Sequence, residues 1–146
     1  MDRREMLSTL GGIAAIAATS GIAFAAEQGH EHHHAAAPGN AALAATAFEC
    51  VRVAEAGIRH CLDELGKGDK SLAECAAKMN ELKIACTALG LLSSSASAHA
   101  KAMAQLTIKV CEDSEKECRK FPQHKECMEC AESCKKCIEE CRKFAA

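Results

Sequence analysis

Residues 127–141 read CMECAESCKKCIEEC, with Cys127, Cys130, Cys134, Cys137 and Cys141 spaced three, four, three and four positions apart. A helix of 3.6 residues per turn gathers those five thiols into one stripe along one face. A bundle helix normally fills such a stripe with Leu and Ile. Sulfur in their place makes a core suited to soft-metal chemistry. Cys50, Cys61, Cys75, Cys86, Cys111 and Cys118 continue the pattern upstream and bring the total to eleven cysteines in 146 residues.

From Asn40 onward the chain is helical in pattern with three short breaks. Gly66-Lys67-Gly68-Asp69 makes the first turn, Ser93 to Ser97 the second, and Phe121-Pro122 the third, where proline can begin a helix but not continue one. Ser71-Leu72-Ala73-Glu74 reads as a capping box. Helices are predicted over 41–65, 71–93, 98–120 and 123–143. Their seams are Leu43, Ala47, Cys50, Ala54, Gly57, Cys61 in the first and Leu72, Cys75, Met79, Leu82, Cys86, Leu89 in the second. The third has Ala104, Thr107, Cys111, Ser114, Cys118, Phe121, and the fourth its five cysteines followed by Phe144. Four seams joined by short loops predict an all-α fold, an antiparallel up-down-up-down four-helix bundle with a cysteine-lined core, over 41–146. Reflection about the turns sets Cys61 level with Cys75, Cys50 with Cys86, Gly57 with Met79, Cys118 with Cys127 and Cys111 with Cys134.

Composition says why sulfur matters to this fold. There are four Phe and no Trp or Tyr, so ordinary hydrophobic burial is weak for a domain of this size and something else has to help hold it. A net charge of −2, with both signs interleaved, gives no basis for nucleic-acid or anionic-membrane binding. No Ser/His/Asp set, Gly-rich phosphate loop or paired carboxylates are present, so the chain does not read as an enzyme.

The first 26 residues read as a targeting segment. Arg3-Arg4 precedes a modestly apolar stretch and Ala23-Phe24-Ala25 offers a small-x-small cleavage site. A twin arginine with a weak apolar core suggests the Tat route, which exports folded proteins, and places the mature chain in the periplasm or beyond. Gly11, Gly12 and Gly21 thin the stretch below a spanning helix, so no membrane anchor is expected in the mature form. Residues 27–40 form a polar linker in which His30, His32, His33 and His34 can collect metal ions weakly.

Cu(I) is soft and is satisfied by two or three thiolates, so a thiolate-only interior selects it. Thiolates that each bridge two ions allow about one copper per sulfur, so roughly ten ions per chain. Zinc favours closed four-ligand sites with a loop between paired knuckles, whereas here C-x2-C continues along one helix. The ferredoxin cysteine run is absent as well. A structural alternative is a disulfide-stapled bundle with pairs 61–75, 50–86, 118–127 and 111–134, which leaves Cys130, Cys137 and Cys141 over. A low-stoichiometry copper chaperone is a third reading. All eleven cysteines and His60 are candidate ligands; Met79 and His124 are accessory candidates, although His124, like His99, reads as a plain surface residue. The 66–70 and 121–122 turns share one end with His60, Cys61, Cys75, Cys118, His124 and Cys127. Leu43, Leu89, Leu92, Met103 and Leu106 are expected to plug the other end, so copper should enter beside His60.

Cys50-Val51, Arg59-His60-Cys61, Cys111 through Cys118-Arg119-Lys120-Phe121-Pro122 and the run Cys127 to Cys141 resemble the copper storage proteins, four-helix bundles that fill their interior with Cu(I). The resemblance covers about 48–146, and the signal segment and His-containing linker resemble the exported branch. It implies storage of many Cu(I) ions and a homo-oligomer (a tetramer); a copper-accepting protein is expected as a further partner. It also implies thiols at two positions where this chain has Gly57 and Ser114, and methionines near the mouth where it has Glu64, Lys67 and Leu72.

Overall fold

The computed structural model describes residues 38–146, with side chains from residue 41. The signal segment 1–26 and His30, His32, His33 and His34 lie outside the described residues. Four helices follow one another: α1 Pro38–Gly66, α2 Ala73–Ser94, α3 Ala100–Cys118 and α4 Lys125–Ala145. Each packs on its two neighbours, α1 on α2 and α4, and α3 on α2 and α4, which makes the bundle. None of the described helices is long and apolar enough to cross a membrane.

The helix ends follow local chemistry. α1 starts at Pro38 rather than at 41, since proline is tolerated in a first turn where its missing N–H is not needed. Its other end is closed by Gly68 at φ +99, a backbone that side chains rarely adopt. The capping box at Ser71 is not used. Asp69 instead accepts from the Ser71 N–H at 2.9 Å and caps a single 3-10 turn, Lys70–Leu72, before α2 begins. A carboxylate is the stronger acceptor, and it wins over the serine hydroxyl. At the end of α2, Ser97 N donates to Leu92 O at 2.9 Å around Ala96, whose φ of 49 is left-handed without being glycine. α4 begins at Lys125 rather than 123, because Phe121-Pro122 is spent in a turn closed by His124 N to Phe121 O at 3.0 Å.

The seams are buried as the periodicity requires except at their ends, where Phe121 and Phe144 are half-buried. Every cysteine is fully buried, as are Leu72, Met79, Leu82, Leu89, Ala47, Ala54 and Ala104, and Leu43 is nearly so. Gly57 faces Met79 as the reflection predicts: a Cβ built on Gly57 would lie 2.5 Å from Met79 Sδ. The methionine therefore occupies the room that a side chain at 57 would take. Ion pairs tie neighbouring helices on the outside, among them Arg142 to Glu112 at 2.9 Å and Arg119 to Glu132 at 3.0 Å, each worth little alone.

The far end is less apolar than expected. Leu43 and Leu89 close it, Leu92 and Met103 are only half-buried, and Leu106 is 52% exposed. Leu106 lies two residues beyond Ala104, which turns it away from the seam. Ser93 is buried in α2, and its Oγ has no hydrogen-bond partner among the described residues. Ser93→Ala should therefore stabilise the apo chain by about 1 kcal/mol, by removing an unpaired hydroxyl from an apolar site. The check is a higher urea midpoint at unchanged slope; a lower midpoint would contradict it.

Candidate metal centre

The sulfurs gather into two groups along the bundle axis. Toward the 66–70 turn, Cys61 of α1, Cys75 of α2 and Cys127 of α4 have their Sγ atoms within 4.8 Å of one another. Cys75 Sγ also stands 3.8 Å from both Cys118 Sγ and Cys127 Sγ, so the end of α3 joins this outer group. Deeper in the bundle, Cys50, Cys86, Cys111 and Cys137, one from each helix, again lie within 4.8 Å of one another. Cys86 to Cys137 and Cys137 to Cys141 are each 4.0 Å. Cys134 neighbours Cys111 and Cys50, and Cys130 neighbours Cys118 and Cys134.

All eleven cysteines are free thiols. The predicted levels hold for Cys61 with Cys75 and for Cys50 with Cys86, but the outcome is clusters rather than pairs. Cys75 is equidistant from two partners, so the geometry singles out no one disulfide there. Three helices supplying one thiol each is the trigonal set that a soft monovalent ion accepts.

Two of the sulfurs are primed as thiolates. Cys61 is lowered to about 3, chiefly because Cys127 and Cys75 hydrogen-bond to it, with His60 and His124 adding positive potential. Cys50 is lowered by hydrogen bonds from Cys111, Cys134, Cys137 and Cys86. The remaining nine are raised. Cys111 and Cys127 hold their protons against the sulfurs they donate to, first Cys134 and Cys61 respectively. Cys75 is raised chiefly by Cys118, Cys118 by Cys130 and Cys141 by Cys137. Cys86, Cys130, Cys134 and Cys137 are lowered by a neighbour that donates to them, but the thiols they face in turn and their burial outweigh it. Each group thus holds one sulfur lowered by its neighbours, both on α1, among raised thiols that pack like small apolar side chains.

Over the outer group stand two histidines. His60 Nε2 and His124 Nδ1 are 2.8 Å apart, one donating to the other, and Glu126 Oε2 lies 3.6 Å from His60 Nδ1. The two rings meet at 4.9 Å between centroids, and Phe121 stands edge-on to His124 at 6.4 Å. His124 is therefore no plain surface residue. It is half-buried because the turn after Phe121-Pro122 folds it back over the end of α1. Sequence reasoning passed over Glu126 and the His60–His124 contact. Their only signal was that reflection brings the 121–126 turn to the same end as His60. His99 is exposed, as expected.

Among known proteins, the model of the copper storage protein family matches residues 36–146. The solved structure of Cu(I)-bound Copper Storage Protein BsCsp3 is similar at 26% identity and a TM-score of 0.68, over 74% of this chain and 99% of that one. No curated protein matches the chain. With a four-helix bundle, a sulfur-lined core and a family match over most of its length, this chain belongs to the copper storage protein family.

Proposed function

We propose that this chain binds and stores multiple Cu(I) ions on the thiolates of its core, outside the cytoplasm. The observation that carries the reading is the pair of buried, free-thiol clusters, each with sulfurs from three or four helices within 4.8 Å. All eleven cysteines serve as ligands. Thiols shared between neighbouring ions set the capacity at about ten per chain. Each arriving ion displaces a thiol proton and supplies positive charge, so loading does not leave bare buried anions.

Cys61 is the first anchor on this reading, because it is the outer sulfur most ready to be a thiolate. His60 and His124 stand beside it as nitrogen donors where copper arrives, and Met79 is core packing that can lend a thioether. The similarity to a Cu(I)-bound relative of the same fold supports copper as the cargo. A homo-oligomer and a copper-accepting protein partner belong to the same proposal.

Anaerobic titration of the reduced chain with Cu(I) against a competing chelator tests it. About ten ions should be taken up before the chelator gains copper. Saturation at one or two would sink storage and favour a chaperone.

A further inference from the structure

The two sulfur groups are not joined evenly around the core. One helical turn inward from Cys61, Cys75, Cys118 and Cys127, the four helices present Gly57, Met79, Ser114 and Cys130. All four are buried, and only one is a thiol. On the α1/α2 side, Cys61 and Cys50 are eleven positions apart, as are Cys75 and Cys86, about 16 Å of helix without a thiolate. Met79 Sδ fills the space beside Gly57 there, and Leu82 and Ala54 follow.

Sulfur continuity survives on the α3/α4 side alone. Along α4 the buried Cys127, Cys130 and Cys134 follow one another at three and four residues, and α3 beside it carries the buried Cys118 and Cys111. Ser114 Oγ stands 4.0 Å from Cys118 Sγ, so an oxygen occupies the other α3/α4 position of this waist. A neutral thioether such as Met79 offers no negative charge to balance an ion out of water, whereas a thiolate does.

We propose that Cys130 is the relay through which Cu(I) passes from the outer sulfurs to the inner ones. The inference rests on the storage reading and specifies the route within it. No oxidation state changes. A Cu–S bond to Cys130 forms as the bond to Cys118 or Cys127 breaks, and the proton that Cys130 releases goes to the sulfur set free. The same exchange, repeated at Cys134, delivers the ion to Cys111 and Cys50.

The test follows the rate at which reduced chain takes Cu(I) from a coloured chelator complex under anaerobic conditions. Cys130→Ser is compared with Cys141→Ser, which removes the same number of thiols at the far end of the stripe. Uptake by Cys130→Ser should split into a fast outer fraction and an inner fraction slowed roughly tenfold or more. Cys141 is itself a ligand, so Cys141→Ser should lose capacity in the same measure but fill in a single phase. Met79→Leu should slow the inner fraction less than Cys130→Ser. Leu106→Ala, on the outside of the bundle, should keep the rate of the unaltered chain. Adding Ser114→Cys to Cys130→Ser should restore fast filling, because it puts a thiol back in the waist beside Cys118. Cys130→Ala replaces the serine variant should that one lose its helical circular dichroism.

Equal rates for the Cys130 and Cys141 variants would overturn the relay. So would failure of Ser114→Cys to rescue, or a Met79→Leu slowing as large as that of Cys130→Ser. An unaltered chain that saturates at one or two ions would instead remove the storage reading itself, so the two failures are told apart by capacity and rate.

Discussion

Loading the reduced chain with Cu(I) should raise its melting temperature by roughly 30 °C or more, against a size-typical 4–8 °C per kcal/mol. The apo core is poor in large side chains. Leu43, Leu72, Met79, Leu82 and Leu89 are its bulkiest fully buried members, and cysteines make up much of the remainder. Its stability is expected near the low end of the roughly 5–15 kcal/mol found for domains. A ligand held at a thousand times its dissociation constant stabilises the folded state by about 4 kcal/mol, and independent sites add. Four such ions would exceed the whole apo stability. Each ion also binds thiols of several helices at once, a constraint that the unfolded chain cannot supply. Anaerobic thermal scans by circular dichroism of apo and loaded chain make the check. A shift below about 5 °C would show that copper does not engage the core.

Raising the pH should unfold the apo chain sharply just above pH 9 and leave the loaded chain folded. An unfolded cysteine loses its proton near pH 8.5. Nine of the eleven thiols are raised in the folded state. Their contribution is full below pH 8.5 and is lost as pH climbs toward their folded values, because the unfolded chain then holds fewer protons than the native one. Each costs up to about 1.4 kcal/mol per pH unit, so nine together approach the order of 10 kcal/mol per unit. Cys61 and Cys50 act in the opposite sense: their contribution is present above pH 8.5 and declines as pH falls, for Cys61 toward about 3. Two such groups do not offset nine on the alkaline side. In the loaded chain the thiol protons have already left, so this alkaline slope disappears. Helical ellipticity against pH, with reductant and without oxygen, reads both forms. Apo chain that keeps its helices to pH 11 would contradict the expectation.

The seams of the four helices were legible because helical periodicity is local. A residue every three or four positions faces inward whatever surrounds it, and the seam positions from Leu43 to Cys61, from Leu72 to Leu89 and from Ala104 to Cys118 are buried in order. The reflection that set Gly57 opposite Met79 also held, since short loops leave antiparallel neighbours little freedom to slide. Errors arose where several local signals compete or where distance from the seam was ignored. Asp69 displaced Ser71 as the cap because a charged acceptor lay two residues upstream. Leu106 is apolar by type but points away from the seam, and it is exposed.

The sequence alone determined the helix count, the faces that meet and the sulfur content of the core, since each follows from 100° per residue and the spacing of eleven cysteines. Tertiary structure alone decided which sulfurs share a cluster: that Cys137 closes the group of Cys50, Cys86 and Cys111, and that Cys75 stands between Cys118 and Cys127. It alone brought His124 onto His60. Those outcomes depend on how each helix is rotated about its own axis and on the rotamers its neighbours permit. Both are set by the packing of all four helices together, and no spacing within a single helix encodes them.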